Sequence, residues 1–273
     1  MYLPVEKAEQ VLRLLLEGCS VNSTERITGV HHTTILNLLV LVGEKCERLF
    51  TDKIRGVQVK DVQCDEIWGF VQKKEAHKWP EEGNNREIGD AYCLVALERH
   101  SKLVLAFHLG KRDRIATEDF ISKVRWATGD HWFQVTTDGY QPYIGAIDAS
   151  LADRVDFAQL VKVYASAREG EASYAPPEVV NAVPIPIMGN PDPKRICTSH
   201  VERQNLSMRM QIRRLTRLTN AFSKKWANLQ AALALYFGYY DFCRIHGTIR
   251  VTPAMEAGIT DHVWELSEVL GAT

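Results

Sequence analysis

Apolar positions recur at helical spacing from Val5 to Glu17, where Ala8, Val11, Leu12, Leu15 and Leu16 share one face and Gly18 ends the run. Ser20 is placed to cap a short second helix through Ile27, Gly29 supplies a tight turn, and Thr33 to Val42 forms a third helix after His31 and His32. From Arg55 the period changes to extended: Val57, Val59, Val62, Ile67, Phe70 and Val71 read as strand, apolar on both faces and therefore central in its sheet. Residues 75–90, charged and rich in Gly and Asn, read as a long loop. Ala91–Glu98 and Leu103–Gly110 then form an antiparallel pair with the first strand. Thr117 is expected to cap a helix through about Thr128, Trp132–Thr137 is a fourth strand, and a helix near Pro142–Ser150 leads to a fifth strand near Arg154–Val163.

Three antiparallel strands followed by strand-helix alternation predict an α/β fold, a ribonuclease H-like mixed sheet flanked by helices. The expected domains are a helical one over residues 1–54, the sheet domain over 55–225, and a carboxyl-terminal helical extension over 226–273 packed on the core. Residues 164–193, with six prolines, read as a loop-rich insertion. The three amino-terminal helices have the rhythm of a helix-turn-helix, in which the third enters the major groove of DNA and brings Thr33, Thr34 and Asn37 nearest the bases. A plain three-helix cap fits the same pattern, with His31 and His32 as turn residues.

Composition is that of an ordinary globular chain of 273 residues with net charge −1, so a uniformly basic nucleic-acid surface is excluded. The charge is local instead: residues 194–225 hold nine Lys or Arg and one acid, Glu202, whereas residues 226–273 hold two Arg and five acids. Six cysteines lie at spacings that suit neither a zinc knuckle nor a disulfide framework. No stretch has the order of a signal peptide or the length of a membrane span, so a cytoplasmic protein without a membrane partner is expected.

The candidate chemistry is carboxylate chemistry. Asp65 and Glu66 lie in the middle of the central strand, where an ionised side chain is costly unless it is paired or binds a cation. Neighbours on a strand face opposite ways, so one of the two is expected to belong to a site and the other to the rim. Asp138 follows the fourth strand directly, at the carboxyl end where α/β sheets place ligands. Read as one basic helix, residues 194–225 put Val201, Met208, Ile212 and Leu215 on a buried stripe. Glu202, Arg209 and Arg213 fall beside it, with Glu202 and Arg209 two turns or about 10 Å apart. A lone carboxylate edged by arginines suits metal plus phosphate; a solvated basic helix is the plain alternative.

Three blocks, Cys64-Asp65-Glu66-Ile67-Trp68-Gly69-Phe70, Thr137-Asp138-Gly139-Tyr140 and His200-Val201-Glu202-Arg203-Gln204-Asn205-Leu206, resemble the catalytic blocks of DDE transposases of the insertion-sequence-one type. The segments from Arg217 to Lys225 and from Arg244 to Gly258 extend the resemblance. It implies a bacterial insertion-sequence transposase in which Asp65, Asp138 and Glu202 are the catalytic, metal-holding triad, Arg209 is its basic partner and Glu66 a bystander. Two Mg²⁺ ions, replaceable by Mn²⁺, would serve phosphoryl transfer. Arg203, Arg213, Arg214, Arg217, Lys224 and Lys225 would hold DNA phosphates, and the partners implied are terminal inverted repeats, target DNA and a second copy of the chain or more. Its place would be the bacterial cytoplasm, nucleoid-associated when on DNA. The family's amino-terminal cysteine finger is missing here, which leaves end recognition to the helix-turn-helix or to other surfaces. A ribonuclease H-like nuclease or resolvase would use the same carboxylates, and an inactive copy would act as a helix-turn-helix DNA-binding protein.

Overall fold

The computed structural model describes residues 3–164 and 179–271. The first strand, β1 (Asp61–Val71), pairs antiparallel with β2 (Gly89–Glu98), which pairs antiparallel with β3 (Val104–Gly110). After helix α4 (Arg114–Ala127), strand β4 (Phe133–Thr137) returns to lie parallel to β1. After α5 (Pro142–Leu151), β5 (Val155–Tyr164) lies parallel to β4. A sixth strand, β6 (Val179–Met188), runs antiparallel to β5 and completes one mixed sheet in the order β3-β2-β1-β4-β5-β6. The fold is α/β, a six-stranded mixed sheet flanked by helices. As its two-sided apolar pattern requires, β1 is central, with Val62, Cys64, Ile67 and Val71 buried.

Two expectations change at the ends of these elements. Helix α4 is capped by Asp113, whose Oδ1 accepts from the Ala116 N–H at 2.9 Å, and Thr117 sits one turn inside. Aspartate caps as well as threonine does, and Asp113 comes first. Part of the expected loop 164–193 is the strand β6, although it contains Pro184 and Pro186. An edge strand has a row of amides with no partner, so prolines cost it little there. Residues 165–178 of that stretch lie outside the described residues.

At the amino end, α1 (Val5–Leu16) and α2 (Val21–Thr28) form as expected, and the Ser20 hydroxyl accepts from the Ser23 N–H at 3.1 Å. Helix α3 (His32–Lys53) is 22 residues long, well beyond the expected end at Val42. Its apolar stripe continues through Cys46, Leu49 and Phe50, which pack with α7 (Trp226–Phe242) into the main core. The two backbones meet at Gly43, where a Cβ would come within 2.5 Å of the Ala231 Cα. Phe50 and Phe237 close around Phe107 of β3, with ring centroids 5.3 and 4.8 Å from it. A smaller cluster of Val11, Val30 and Ile35 joins the three helices to each other.

Residues 194–225 do not form one helix. Helix α6 (Ser199–Gln211) stops at Ile212, and residues 213–215 make a single tighter turn. The Arg209 guanidinium donates to the Leu215 carbonyl at 3.0 Å and the Thr216 hydroxyl to the Arg209 carbonyl at 3.1 Å, so the chain folds back on the helix end. Further on, Ser223 bridges to Val71, and the Gln72 N–H donates to its carbonyl at 2.8 Å. Val201, Met208, Ile212 and Leu215 are buried as expected, the last two from beyond the helix. Tertiary bonds to β1 outweigh a helical pattern that reads continuously in the sequence. Among the described residues no helix is long and apolar enough to cross a membrane.

Candidate functional site

The β1–β4 ladder ends with Cys64 opposite Thr137, so Asp65 and Asp138 are the next residues on adjacent parallel strands and lie side by side where β4 stops. Gln63 and Asp65, two residues apart, face α6. The Gln63 side-chain Oε1 accepts from the His200 and Val201 N–H groups at 3.0 and 3.2 Å, satisfying two amides that the helix leaves free at its start. One turn on, the Asn205 amide donates to Asp65 Oδ2 at 2.9 Å. Between these two anchors Glu202 projects from the first turn of α6, and its Oε1 accepts from Lys162 of β5 and from the Thr198 hydroxyl.

Glu66 was expected to be a bystander on the other face, and it does reach the other helical layer: its Oε2 lies 3.5 Å from the Tyr143 hydroxyl of α5. Yet carboxylate oxygens of Asp65, Glu66 and Asp138 all lie within 4.8 Å of one another. Strand alternation holds at the Cβ atoms. The separation is lost at the rim because β4 has ended there and the longer glutamate side chain can turn towards Asp138. Its side chain is only 6% exposed and is paired with Arg112, whose Nε donates to Oε1 at 2.7 Å. The same guanidinium reaches Asp138 at 4.0 Å and lies 4.3 Å above the Tyr140 ring.

Burial, then the charges of Glu66 and Asp138, push the Asp65 carboxyl up to about 7. Burial also raises Glu66, whose next cause is Asp138, and outweighs the opposing pull of Arg112. Asp138 is raised by burial although the Tyr140 N–H and the charges of Arg112 and Lys162 act the other way. The cluster holds more negative charge than its neighbours balance, and Glu202 adds to the repulsion on both aspartates. A hard divalent cation with oxygen ligands fits such a donor set. Arg112 and Lys162 supply positive charge at its two flanks.

Arg209 is placed away from this role. Its guanidinium donates to the carbonyls of Trp68 and Leu215 at 3.1 and 3.0 Å, tying the end of α6 to β1 rather than bracing Glu202. Arg203, Arg213, Arg217, Lys224 and Lys225 are exposed, whereas Arg214 is largely buried with one Nη on the Ser223 hydroxyl at 3.1 Å. On α3, Thr33 and Asn37 are exposed and Thr34 is half-buried; the His31 ring accepts from the Thr33 N–H and caps the helix. Gln63, Asn205, Lys162 and Arg112 were not singled out from the sequence. Gln63 was accessible to that reasoning, since period two puts it on the face of Asp65, and Asn205 stands one turn from Glu202. Lys162 and Arg112 reach the site only through sheet order. No model of a known protein family matches the chain, and no curated protein matches it either.

Proposed function

We propose that the protein is a DDE transposase with a ribonuclease H-like core, cutting DNA at transposon ends and joining the freed 3′ ends to target DNA. The observation that carries this reading is the convergence of Asp65 and Asp138, from adjacent parallel strands, beneath a helix that carries Glu202 and is pinned to the same strand by Gln63 and Asn205. The strand order, with two right-sized crossovers after three antiparallel strands, supports the same core.

Asp65, Asp138 and Glu202 are the residues that would hold Mg²⁺ or Mn²⁺, with Glu66 close enough to share the load. Bound there, the cations supply a nucleophilic oxygen and charge stabilisation for the leaving one. Asn205 fixes the Asp65 carboxylate, Gln63 fixes the helix that carries Glu202, and Tyr143 and Arg112 orient Glu66. Lys162 holds Glu202 through a charged contact that a cation would compete for. Arg203, Arg213 and Arg217, with Lys224 and Lys225, form the exposed basic surface that holds strand phosphates without reading sequence. End recognition is assigned to Thr33, Thr34 and Asn37 on α3, and synapsis of two ends calls for at least a dimer. The test is a duplex bearing the repeats that flank the gene, incubated with and without Mg²⁺. Metal-dependent nicks at the repeat ends are expected from the wild type and from none of Asp65→Asn, Asp138→Asn and Glu202→Gln; normal nicking by any of the three removes that residue from the triad.

A further inference from the structure

Between the amino-terminal helices and the 211–236 segment lies a cavity of about 490 Å³, a size that takes a small organic ligand. Among the described residues its wall carries Arg213, Arg214 and Lys224 and not one carboxylate, in a chain whose acids outnumber its Lys and Arg residues, 34 to 33. Among the described residues none of these three cations forms an ion pair. Glu25, the nearby acid, does not line the cavity and is engaged with His32 at 3.3 Å. Arg214 is the informative side chain: one Nη reaches Ser223, and the other is buried with no hydrogen-bond partner among the described residues. That nitrogen is enclosed by protein, so Arg214 acts on the cavity through its charge, an unneutralised guanidinium behind the wall that favours an anion in front of it. Burial lowers its pKa only to about 10, so it keeps its charge at neutral pH.

The rest of the wall suits a planar group attached to that anion. Phe222 is half-buried, with its ring 4.9 Å from Phe70, and Asn220 and Asn228 offer amide groups that make no side-chain hydrogen bond among the described residues. Aromatic rings and carboxamides are the groups on which bases stack and pair edgewise.

We propose that this cavity binds one nucleotide unit, its phosphate on Arg213 and Lys224 in the field of the Arg214 charge and its base against Phe222. This goes beyond the catalytic reading, because it needs neither the carboxylate cluster nor a transposon end. The nucleotide comes either from a strand of bound DNA or from the free pool. The test is calorimetric titration of the full chain with deoxyadenosine 5′-monophosphate, inorganic phosphate and deoxyadenosine. The monophosphate is expected to bind at least tenfold tighter than either fragment, and Arg214→Gln to weaken it at least tenfold. Arg213→Gln combined with Lys224→Gln, at exposed positions, is expected to weaken it comparably and covers the case in which Arg214→Gln fails to fold. Absence of binding, equal affinity for phosphate alone, or unchanged affinity in the folded variants overturns the proposal. An oligonucleotide carrying 2-aminopurine separates the sources. Rising fluorescence on binding that is lost in the Arg213/Lys224 variant assigns the unit to the strand; an oligonucleotide that does not displace the monophosphate assigns it to the free pool. Either result is read without catalysis, so loss of activity in the triad variants leaves it intact.

Discussion

Replacing Gln63 with Leu removes one side chain that no solvent touches, yet it strikes both the stability and the chemistry. The carboxamide oxygen accepts the His200 and Val201 N–H groups at 3.0 and 3.2 Å, and the Val201 amide is buried. Leaving a buried donor unpaired costs about 1–3 kcal/mol and losing a part-exposed bond about 0.5–1.5 kcal/mol, offset in part because the Gln63 Nε2, buried with no partner among the described residues, is removed as well, so the net loss is roughly 1–3 kcal/mol. At roughly 2–4 °C per kcal/mol for a chain of this size, thermal unfolding should fall by several degrees. The same change frees the start of α6, which carries Glu202 in its first turn. A displacement of about 1 Å at a reacting group costs on the order of a hundredfold in rate. The assay pairs thermal unfolding with metal-dependent nicking measured well below the transition, where the variant is still folded. A variant that unfolds within a degree of the wild type and nicks at its rate would refute the assignment of Gln63 as the anchor of the helix that carries Glu202.

Asn205→Ala removes a hydrogen bond to a carboxylate at 2.9 Å, worth about 1.5–3 kcal/mol. The nicking rate should fall about tenfold to a hundredfold and half-maximal activity should need more Mg²⁺, whereas a purely structural role would move neither reading in the folded variant. Gly43→Ala forces a Cβ to within 2.5 Å of the Ala231 backbone where α3 crosses α7, so unfolding by denaturant should show a loss of about 1–3 kcal/mol. An unchanged midpoint would mean that the two helices are not in close contact. Asp241 is buried and its pKa is raised well above the ordinary carboxylate value by desolvation, with only the Val104 N–H acting the other way. The folded state therefore holds a proton that the unfolded chain gives up near pH 4, and this residue costs progressively more stability as pH rises above that. Asp241→Asn should gain on the wild type in melting temperature from pH 4 to pH 8; a constant difference across that range would contradict a buried neutral acid.

Elements whose pattern is local were legible in the chain. Ser20 caps α2, the two-sided apolar run of β1 makes it central, and Trp226–Phe242 is a buried helix because apolar residues surround it. What depended on distant partners was not. The length of α3 is set by its packing against α7, which the first 54 residues cannot reveal, and β6 exists because β5 offers an edge that tolerates proline. At the site, Asp65, Asp138 and Glu202 stood out because carboxylates in a strand, at a strand end and in a basic stretch are each anomalous. Glu66 was set aside by a rule about Cβ directions that does not bind the end of a long side chain. Arg209 fell beside Glu202 on a wheel, but the fold gives it two backbone carbonyls to hold instead.

Strand joining tests the central claim most directly. A duplex ending in a pre-cut 3′-hydroxyl at the repeat end is incubated with target plasmid and Mg²⁺, using wild-type protein and Asp138→Asn. The account predicts joined product from the wild type, none without Mg²⁺ and none from the variant. Joining by Asp138→Asn, or a wild type that cuts but never joins, would contradict it.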